Sequence, residues 1–463
     1  MEKQIGDGFV TEDDDFLFSA EQALTMDDIR QFINYHKSQL LPKYILFKKE
    51  YKGDHDILHR DARPDWKPDN RIVSNFAKYQ VDTFNGFFSG IPVKVESKDT
   101  SVNEALSTWN NRTSFSDRLF EANKMASIYG RSYLMLYQNE QSETCLAECA
   151  PHNTFIIYSD DIEHKRLAMV NYSNRRGNRM KGYWIDGYIH NFDTTSTGLT
   201  VVDETLNIYT DVPCVEIEEN SEHMAIFQST LTACHAIEKA LSEKADNVEY
   251  FADAYLAITG AEIDEKTLGN LKKNRIINVK TEDGQNVQIQ FLQKPDGDAT
   301  EEHLLDRLTN DVYQKSMVVN INDESFGTAS GVAIKMKLQP MRNLGTNKQR
   351  KVTRALRDLY KMVFAIPKNV PSTKSDEWES LEYTFTENIP ENTADEVTTA
   401  KNAEGITSRR TQLGFIHSIK DVDAEMKQIE KEDQEKIDQA TNSFDKYDYP
   451  GTTPNQVKTN DEE

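Results

Sequence analysis

Two groups of residues have types that could support metal or phosphate chemistry. His55 and His59 stand four apart beside two aspartates, a spacing that places two imidazoles on one helical face for a metal ion. The nearby Gly53 and Pro64 favour an exposed polar loop instead. Gly327 and Gly331 occur in GTASGVAIK, but a P-loop needs four residues between its glycines and Lys-Ser/Thr directly after the second. A flexible loop is the better interpretation there.

Carboxylates and serines give no stronger signal for catalysis. Asp160, Asp161 and Glu163 follow an apolar strand pattern, where acidic turn residues are ordinary. Ser132 and Ser330 lack the G-x-S-x-G frame of a nucleophile elbow. The sequence therefore predicts no catalytic residue, no metal site and no cofactor, and we expect a protein that is not an enzyme.

The charge of the chain is strongly acidic. Asp and Glu number 77 against 54 Lys and Arg, a formal charge of −23, so the protein as a whole repels nucleic acid. A basic cluster near 335–357 is the exception, and it either pairs with a neighbouring subunit or solvent or touches DNA phosphates. Its members are Lys335, Lys337, Lys348, Arg350, Lys351, Arg354 and Arg357.

Membrane and disulfide signals are weak. No apolar run approaches the roughly 18–20 residues of a membrane span, and the N-terminal sequence lacks the order of a signal peptide. The four cysteines are too few and too irregular for a disulfide framework, which favours reduced thiols. We expect a protein that stays in the cytoplasm of the cell that makes it.

The apolar periodicity predicts a mainly α fold with α+β parts. Residues 1–24 read as a flexible acidic arm because Asp13–Asp15 lie in a stretch with little periodicity. A first helix spans 26–41 up to Pro42, and another covers 114–129 before Gly130. Short apolar segments over 150–220 predict antiparallel strands.

Two long helices follow. The first spans 229–260 with a seam of Ile237, Leu241, Val248, Phe251, Tyr255 and Ile258. The second opens at the Asp298/Glu301 capping pair and packs antiparallel to the first. Between them, 261–297 reads as a compact α/β insert with a hairpin. A loop at 319–330, a long helix bent at Pro340, a strand at LEYTF and helices at 408–417 and 421–441 precede a disordered tail.

Several segments, in order, resemble portal proteins of siphophage type, from tailed phages that infect Gram-positive bacteria. The resemblance covers roughly residues 25–435 and rests on these segments: NRIVSNFAKYQVDTFNGFFSGIPV, ANKMASIYGRSYLMLY, PHNTFIIYSDDI, SEKADNVEYFADAYLAITG, HLLDRLTNDVYQKS, INDESFGTASGVAIKMKL and ITSRRTQLGF.

The resemblance implies a ring of about twelve subunits at one capsid vertex, in the virion after assembly in the host cytoplasm. The ring would carry double-stranded DNA and contact the terminase large subunit, a head-tail connector (adaptor) protein, scaffolding protein and major capsid protein. The implied regions are a wing (25–228), stem helix 1 (229–260), a clip (261–297), stem helix 2 (298–318), a tunnel loop (319–330), a return to the wing (331–389), crown helices (390–441) and a disordered tail (442–463).

The same resemblance places the DNA channel at the tunnel loop and the residues just after it. Its glycines would let the loop adapt to a duplex, and its acidic residues would repel phosphates. The implied channel residues are Asn320, Asn322, Asp323, Glu324, Ser325, Phe326, Gly327, Thr328, Ser330, Gly331, Lys335 and Lys337. A capsid-associated nucleic-acid enzyme and a monomeric minor head protein are the alternatives that remain.

Overall fold

The computed structural model describes residues 3–64, 67–175, 179–196, 198–252, 256–259, 288–291, 298–322, 331–389, 393–416, 418–419 and 421–444. The chain divides into two units, residues 1–328 with 335–388 and residues 329–334 with 389–463. The first unit holds every strand named below, and the described residues of the second unit contain helices.

Fifteen strands are described. They are β1 (Lys3–Ile5), β2 (Gly8–Val10), β3 (Phe16–Phe18), β4 (Lys94–Glu96), β5 (Arg131–Gln138), β6 (Thr144–Cys149), β7 (Thr154–Ser159), β8 (Arg166–Arg175), β9 (Arg179–Ile185), β10 (Tyr188–Thr195), β11 (Gly198–Leu206), β12 (Cys214–Glu218), β13 (Leu256–Thr259), β14 (Gln288–Phe291) and β15 (Glu382–Thr384).

Twelve α-helices are described with them. They are α1 (Met26–Tyr35), α2 (Leu41–Lys52), α3 (Phe76–Ser89), α4 (Thr100–Thr113), α5 (Phe115–Tyr129), α6 (Leu231–Ala252), α7 (Asp298–Ser316), α8 (Gly331–Lys337), α9 (Gln339–Phe364), α10 (Thr393–Asn402), α11 (Arg409–Leu413) and α12 (Val422–Phe444).

The main sheet has eight strands in the order β1-β2-β3-β7-β8-β9-β10-β11. Its neighbours are antiparallel except β3 and β7, which run parallel with Phe16 beside Ile157. A second sheet, β12-β5-β6, packs on one face through Tyr133, Ile156 and Met169. The antiparallel strands predicted for 150–220 are confirmed, because alternating apolar residues there fill the space between two sheets.

The prediction of a flexible arm at 1–24 is wrong for the described residues. Residues 3–18 contribute three strands to the main sheet, and Phe16 and Phe18 are buried. Phe16 packs edge-on against Phe32 of α1 and lies 4.5 Å, centroid to centroid, from Phe155 of β7. The acidic run Asp13–Asp15 lies in the turn before β3, so the apolar FLF triplet after it was the informative signal.

The first helix does not end at Pro42. A π-helical turn, His36–Leu40, joins α1 to α2, and Pro42 lies in the first turn of α2. Proline is tolerated there because the first-turn N–H groups have no intrahelical acceptor in any case. The helix predicted for 114–129 is confirmed as α5, and Gly130 ends it with φ +90°.

The two long helices pack together, as predicted, but the first is shorter. Helix α6 is described to Ala252, and residues 256–259 form β13, which pairs with β14. Ile237 is buried against Leu305 and Val312 of α7, whereas Val248 is 66% exposed and does not belong to the seam. The predicted seam positions Phe251, Tyr255 and Ile258 lie outside the described side chains.

The long helix predicted after the loop is interrupted next to Pro340. Helix α8 ends at Lys337, Leu338 lies between the helices with right-handed helical angles (φ −76°, ψ −10°), and α9 begins at Gln339 with Pro340 in its first turn. The proline ring prevents a continuous hydrogen-bond ladder, which explains the break. Strand β15 pairs with β4, and Leu381 before it is buried.

The second unit contains α10, α11 and α12, where the sequence predicts two of these three helices. Gln412 donates to the carbonyls of Ala403 (3.2 Å) and Thr407 (2.9 Å), which fastens α11 to the end of α10. Arg410 pairs with Asp423 at the start of α12. The helix continues to Phe444, beyond the start predicted for the disordered tail, and 445–463 lie outside the described residues.

Candidate DNA-channel segment

One tyrosine of α3 bonds to the backbone at the start of the predicted loop. The Tyr79 hydroxyl donates to the carbonyl of Val319 (3.0 Å) and accepts from the N–H of Ile321 (2.9 Å). Its ring meets Tyr313 of α7 edge-on at 5.8 Å. Val318 beside it is buried. One side chain thereby fixes the backbone where the chain leaves α7.

The predicted channel residues at this end sit in a tight turn. Met317 leaves the helix with φ +59°, and the N–H of Asn322 donates to Oδ1 of Asn320 (3.1 Å). An asparagine side chain that bonds two residues ahead is typical of turns. The next predicted residues lie outside the described ones: Asp323, Glu324, Ser325, Phe326, Gly327, Thr328 and Ser330.

After these residues, α8 begins at Gly331. Lys335 on this helix is exposed, its neighbour Met336 is 74% exposed, and Lys337 is half-buried. Of the twelve predicted channel residues, the structure thus describes Asn320 and Asn322 before the loop and Gly331, Lys335 and Lys337 after it.

The basic cluster of α9 is largely neutralised within its own chain. Lys351 and Arg354 both pair with Glu218 of β12, and Lys348 pairs with Glu219 just after it. Neither predicted role, a subunit contact or a DNA contact, is open to Lys348, which is fully buried. Arg350, Arg354 and Arg357 remain exposed on one side of α9.

Lys348 is held by a complete set of acceptors. Its ammonium donates to Glu219 Oε2 (2.5 Å), Ser127 Oγ (2.8 Å) and the carbonyl of Asn123 (2.9 Å). Burial lowers the pKa of Lys348, while the charge of Glu219 opposes that shift. Three acceptors match the three protons of an ammonium.

The two candidate metal-binding histidines do not face each other. His59 is exposed and lies against Asp54, whereas His55 is buried between Glu238 of α6 and the backbone carbonyl of Glu50. The metal interpretation of this pair therefore fails, and the interpretation as an exposed loop fails for His55. Its sequence neighbours gave no sign of burial, because the Glu238 carboxylate that covers it lies 183 residues away along the chain.

The other catalytic candidates have structural roles. Asp161 accepts from the N–H groups of Glu163 and His164 and lies in a turn, as the sequence predicts. Those hydrogen bonds, led by one from Ser159, lower the pKa of Asp161. Ser132 is buried and donates to the carbonyl of Ala122 (2.7 Å).

One group among the described residues has metal-ligand geometry, and the sequence gave no sign of it. Asp15, Glu216 and His223 bring their ligand atoms within 4.8 Å of one another. The Arg131 guanidinium already lies among them, 3.4 Å from Asp15 and 3.2 Å from Glu216, and it contacts His223. Burial raises the pKa of Asp15 to about 7. The arginine supplies the positive charge that a metal ion would bring.

None of the helices described here combines the length and the apolar character needed to cross a membrane.

Comparisons with known proteins give one family match and several similar solved structures. The model of the family "Phage portal protein, SPP1 Gp6-like" matches residues 30–439. No curated protein sequence matches the chain. Solved structures that it resembles include the neck of an empty GTA particle (14% identity, 73% of this chain and 89% of the other, TM-score 0.41). Another is the neck of a native gene transfer agent particle computed with C12 symmetry (10% identity, 81% and 93%, TM-score 0.43).

Proposed function

The chain belongs to the SPP1 Gp6-like phage portal protein family, and on that premise we propose how its parts serve a portal. A portal protein is a virion component that forms the ring-shaped channel at one capsid vertex, through which double-stranded DNA is packaged and ejected. The match over residues 30–439 is the observation that carries this function. The chain acts without catalysis in this proposal.

The proposed assembly is a ring of twelve subunits. It docks the terminase large subunit during packaging and a head-tail connector protein afterwards, and it meets scaffolding and major capsid proteins during assembly. Twelve copies at −23 each carry about −276 charges. A channel in so acidic a ring holds no deep electrostatic well for a polyanion, which favours sliding over binding.

The proposed stem consists of α6 and α7, whose packing through Ile237, Leu305 and Val312 supports that role. The β13–β14 pair belongs to the proposed clip between them. The two sheets and α1–α5 form the proposed wing, now including residues 3–24, and α10–α12 form the crown. The wing supplies most of the buried core, which suits an anchoring region.

Residues 319–330 are the proposed tunnel loop. The double hydrogen bond of Tyr79 supports this, because it fixes the backbone at the start of the loop, and Gly327 in the loop sequence permits backbone angles that other residues avoid. Lys335 and Lys337 would offer weak, repeated phosphate contacts just after the loop.

Electron microscopy and packaging assays test the proposal together. Purified protein should form rings, and a monomer with no ring form would contradict the portal function.

Replacing residues 323–331 with a rigid, bulky segment should leave rings intact and block DNA filling of capsids. A Gly/Ser segment of equal length is the control and should permit filling. Normal filling with the bulky segment would refute the tunnel-loop assignment.

A further inference from the structure

A segment before α3 runs along α6 and bonds to it at regular intervals. The backbone N–H groups of Asn70, Ile72 and Ser74 donate to Asp246 Oδ1 (2.6 Å), Ser242 Oγ (2.9 Å) and Glu238 Oε1 (3.1 Å). Every second residue of the segment thus meets every fourth residue of the helix. The two repeats match, because two extended residues advance about 6.6 Å and four helical residues about 6 Å.

At the Asn70 end of this row of hydrogen bonds, the charged Asp246 carboxylate makes further contacts. Asp246 is buried and also accepts from the Arg63 guanidinium (2.5 Å) and from the Asn70 side chain (2.9 Å). The side-chain amide of Asn70 also donates to Glu249, which lies about one helical turn after Asp246 (2.8 Å). These side-chain contacts fix which residue of the helix receives Asn70.

At the Ser74 end of this row, His55 bonds to the same Glu238 oxygen that accepts from Ser74. Its Nδ1 lies 2.5 Å from Glu238 Oε1 and its Nε2 lies 2.8 Å from the Glu50 carbonyl, so both ring nitrogens face acceptors. An imidazole donates from both nitrogens only when it carries two protons. Other titratable groups near it are Asp54, the Glu50 carboxylate and His235, of which the last two lie 3.0 Å apart.

The protonation of His55 follows from competing effects. Burial alone would lower the pKa of His55, but the hydrogen bonds to Glu238 and to the Glu50 backbone, with the two carboxylate charges, raise it to about 9. Its charge therefore contributes stability that is complete below the ordinary value of 6.5 and is lost as pH rises through about 9.

We infer that residues 70–74 form a strap that positions α6 lengthwise in the first unit, and that doubly protonated His55 locks this strap. The sequence of α6 selects one register. A shift by one turn would bring Ser74 opposite Cys234, a weak acceptor, and would separate Asp246 from Asn70.

Hydrogen exchange of the full-length protein, read by mass spectrometry, tests the strap. The variant Ser242→Ala removes one hydroxyl and should speed exchange of the Ile72 amide about tenfold, the loss expected for one hydrogen bond. Glu243→Ala, on an exposed neighbouring position of α6, is the control and should change nothing there. Unchanged exchange at Ile72 in folded Ser242→Ala would overturn the strap.

A pH series tests the lock. After correction for intrinsic exchange rates, protection of residues 70–76 should fall in the wild-type protein as pH rises through about 9. The fall should be absent in His55→Gln and present in His59→Gln, whose histidine is exposed. No fall in the wild-type protein, or an equal fall in His55→Gln, would overturn the role of His55. Neither outcome depends on whether the protein forms rings.

Discussion

The Lys348 ammonium lies in the core of the first unit, surrounded by one carboxylate, one hydroxyl and one carbonyl. Removing one member of such a buried pair leaves the other charge without a partner. We expect Lys348→Met to lower the free energy of unfolding by about 3–5 kcal/mol. Urea denaturation measures this.

Two comparisons make that experiment specific. Lys351→Met removes a partly exposed ion pair with Glu218 and should cost at most about 1 kcal/mol. The double variant Lys348→Met with Glu219→Gln should recover much of the loss, because no buried charge remains. A loss for Lys348→Met no larger than for Lys351→Met would contradict the buried-pair argument.

His36 responds to pH in the opposite direction to His55. Burial between Phe155 and Tyr172 lowers the pKa of His36 to about 3, so the folded protein holds it neutral. Its contribution to stability is present above the ordinary value of 6.5 and is lost as pH falls from there towards 3. We expect His36→Phe to remove up to about 1.4 kcal/mol per pH unit of acid sensitivity between pH 6.5 and 4.

Urea midpoints measured across that pH range check the expectation. His303→Gln, at an exposed position of α7, is the control and should retain the full acid sensitivity. Equal pH slopes for His36→Phe and the wild-type protein would show that His36 does not titrate on unfolding in this range.

At the scale of elements, Tyr79 joins α3 to the segment after α7. Tyr79→Phe removes the hydroxyl that holds Val319 and Ile321 but keeps the ring packing against Tyr313. We expect faster hydrogen exchange at residues 319–322 with rings still formed. Tyr51→Phe, which removes an exposed hydroxyl bond to Asp82, should leave that exchange unchanged. Identical exchange in both variants would argue against an anchoring role for Tyr79.

The packing of α6 on α7 buries one valine and leaves another exposed, although both occur in helical apolar patterns. Val312 of α7 is fully buried, while Val248 of α6 is 66% exposed. Val312→Asp should cost several kcal/mol, since it buries an unpaired charge, and Val248→Asp should stay within about 0.5 kcal/mol. Thermal unfolding distinguishes the two. A similar cost for both would mean that Val248 is covered in the assembled protein.

Periodic apolar patterns predicted the elements that pack against nearby sequence. Helix α5 with its Gly130 terminator and the start of α7 at Asp298 follow from local capping and spacing. The N-terminal strands β1–β3 were missed because each has only three residues, and β3 joins the rest of the sheet only through β7 at residues 154–159. Tyr79, Lys348 and His55 were missed as anchors for a similar reason, because each has at least one hydrogen-bond partner more than a hundred residues away along the chain.

At the scale of the whole molecule, each subunit carries an excess of negative charge. Repulsion between subunits of −23 each should oppose ring assembly at low ionic strength and weaken as salt shortens the screening length. We expect the fraction of rings at fixed protein concentration to rise between about 20 and 200 mM salt, measured by mass photometry. A falling fraction would mean that ion pairs between subunits outweigh the net repulsion.

The parallel pairing of β3 with β7 also sets an order of events during synthesis. Phe16 leaves the ribosome roughly 7–30 s before Ile157, its neighbour in the sheet, at ordinary elongation rates. Throughout that interval the apolar FLF strand has no partner on that side. The three aspartates directly before it place negative charge beside this unpaired apolar strand, and such charge disfavours association with other chains.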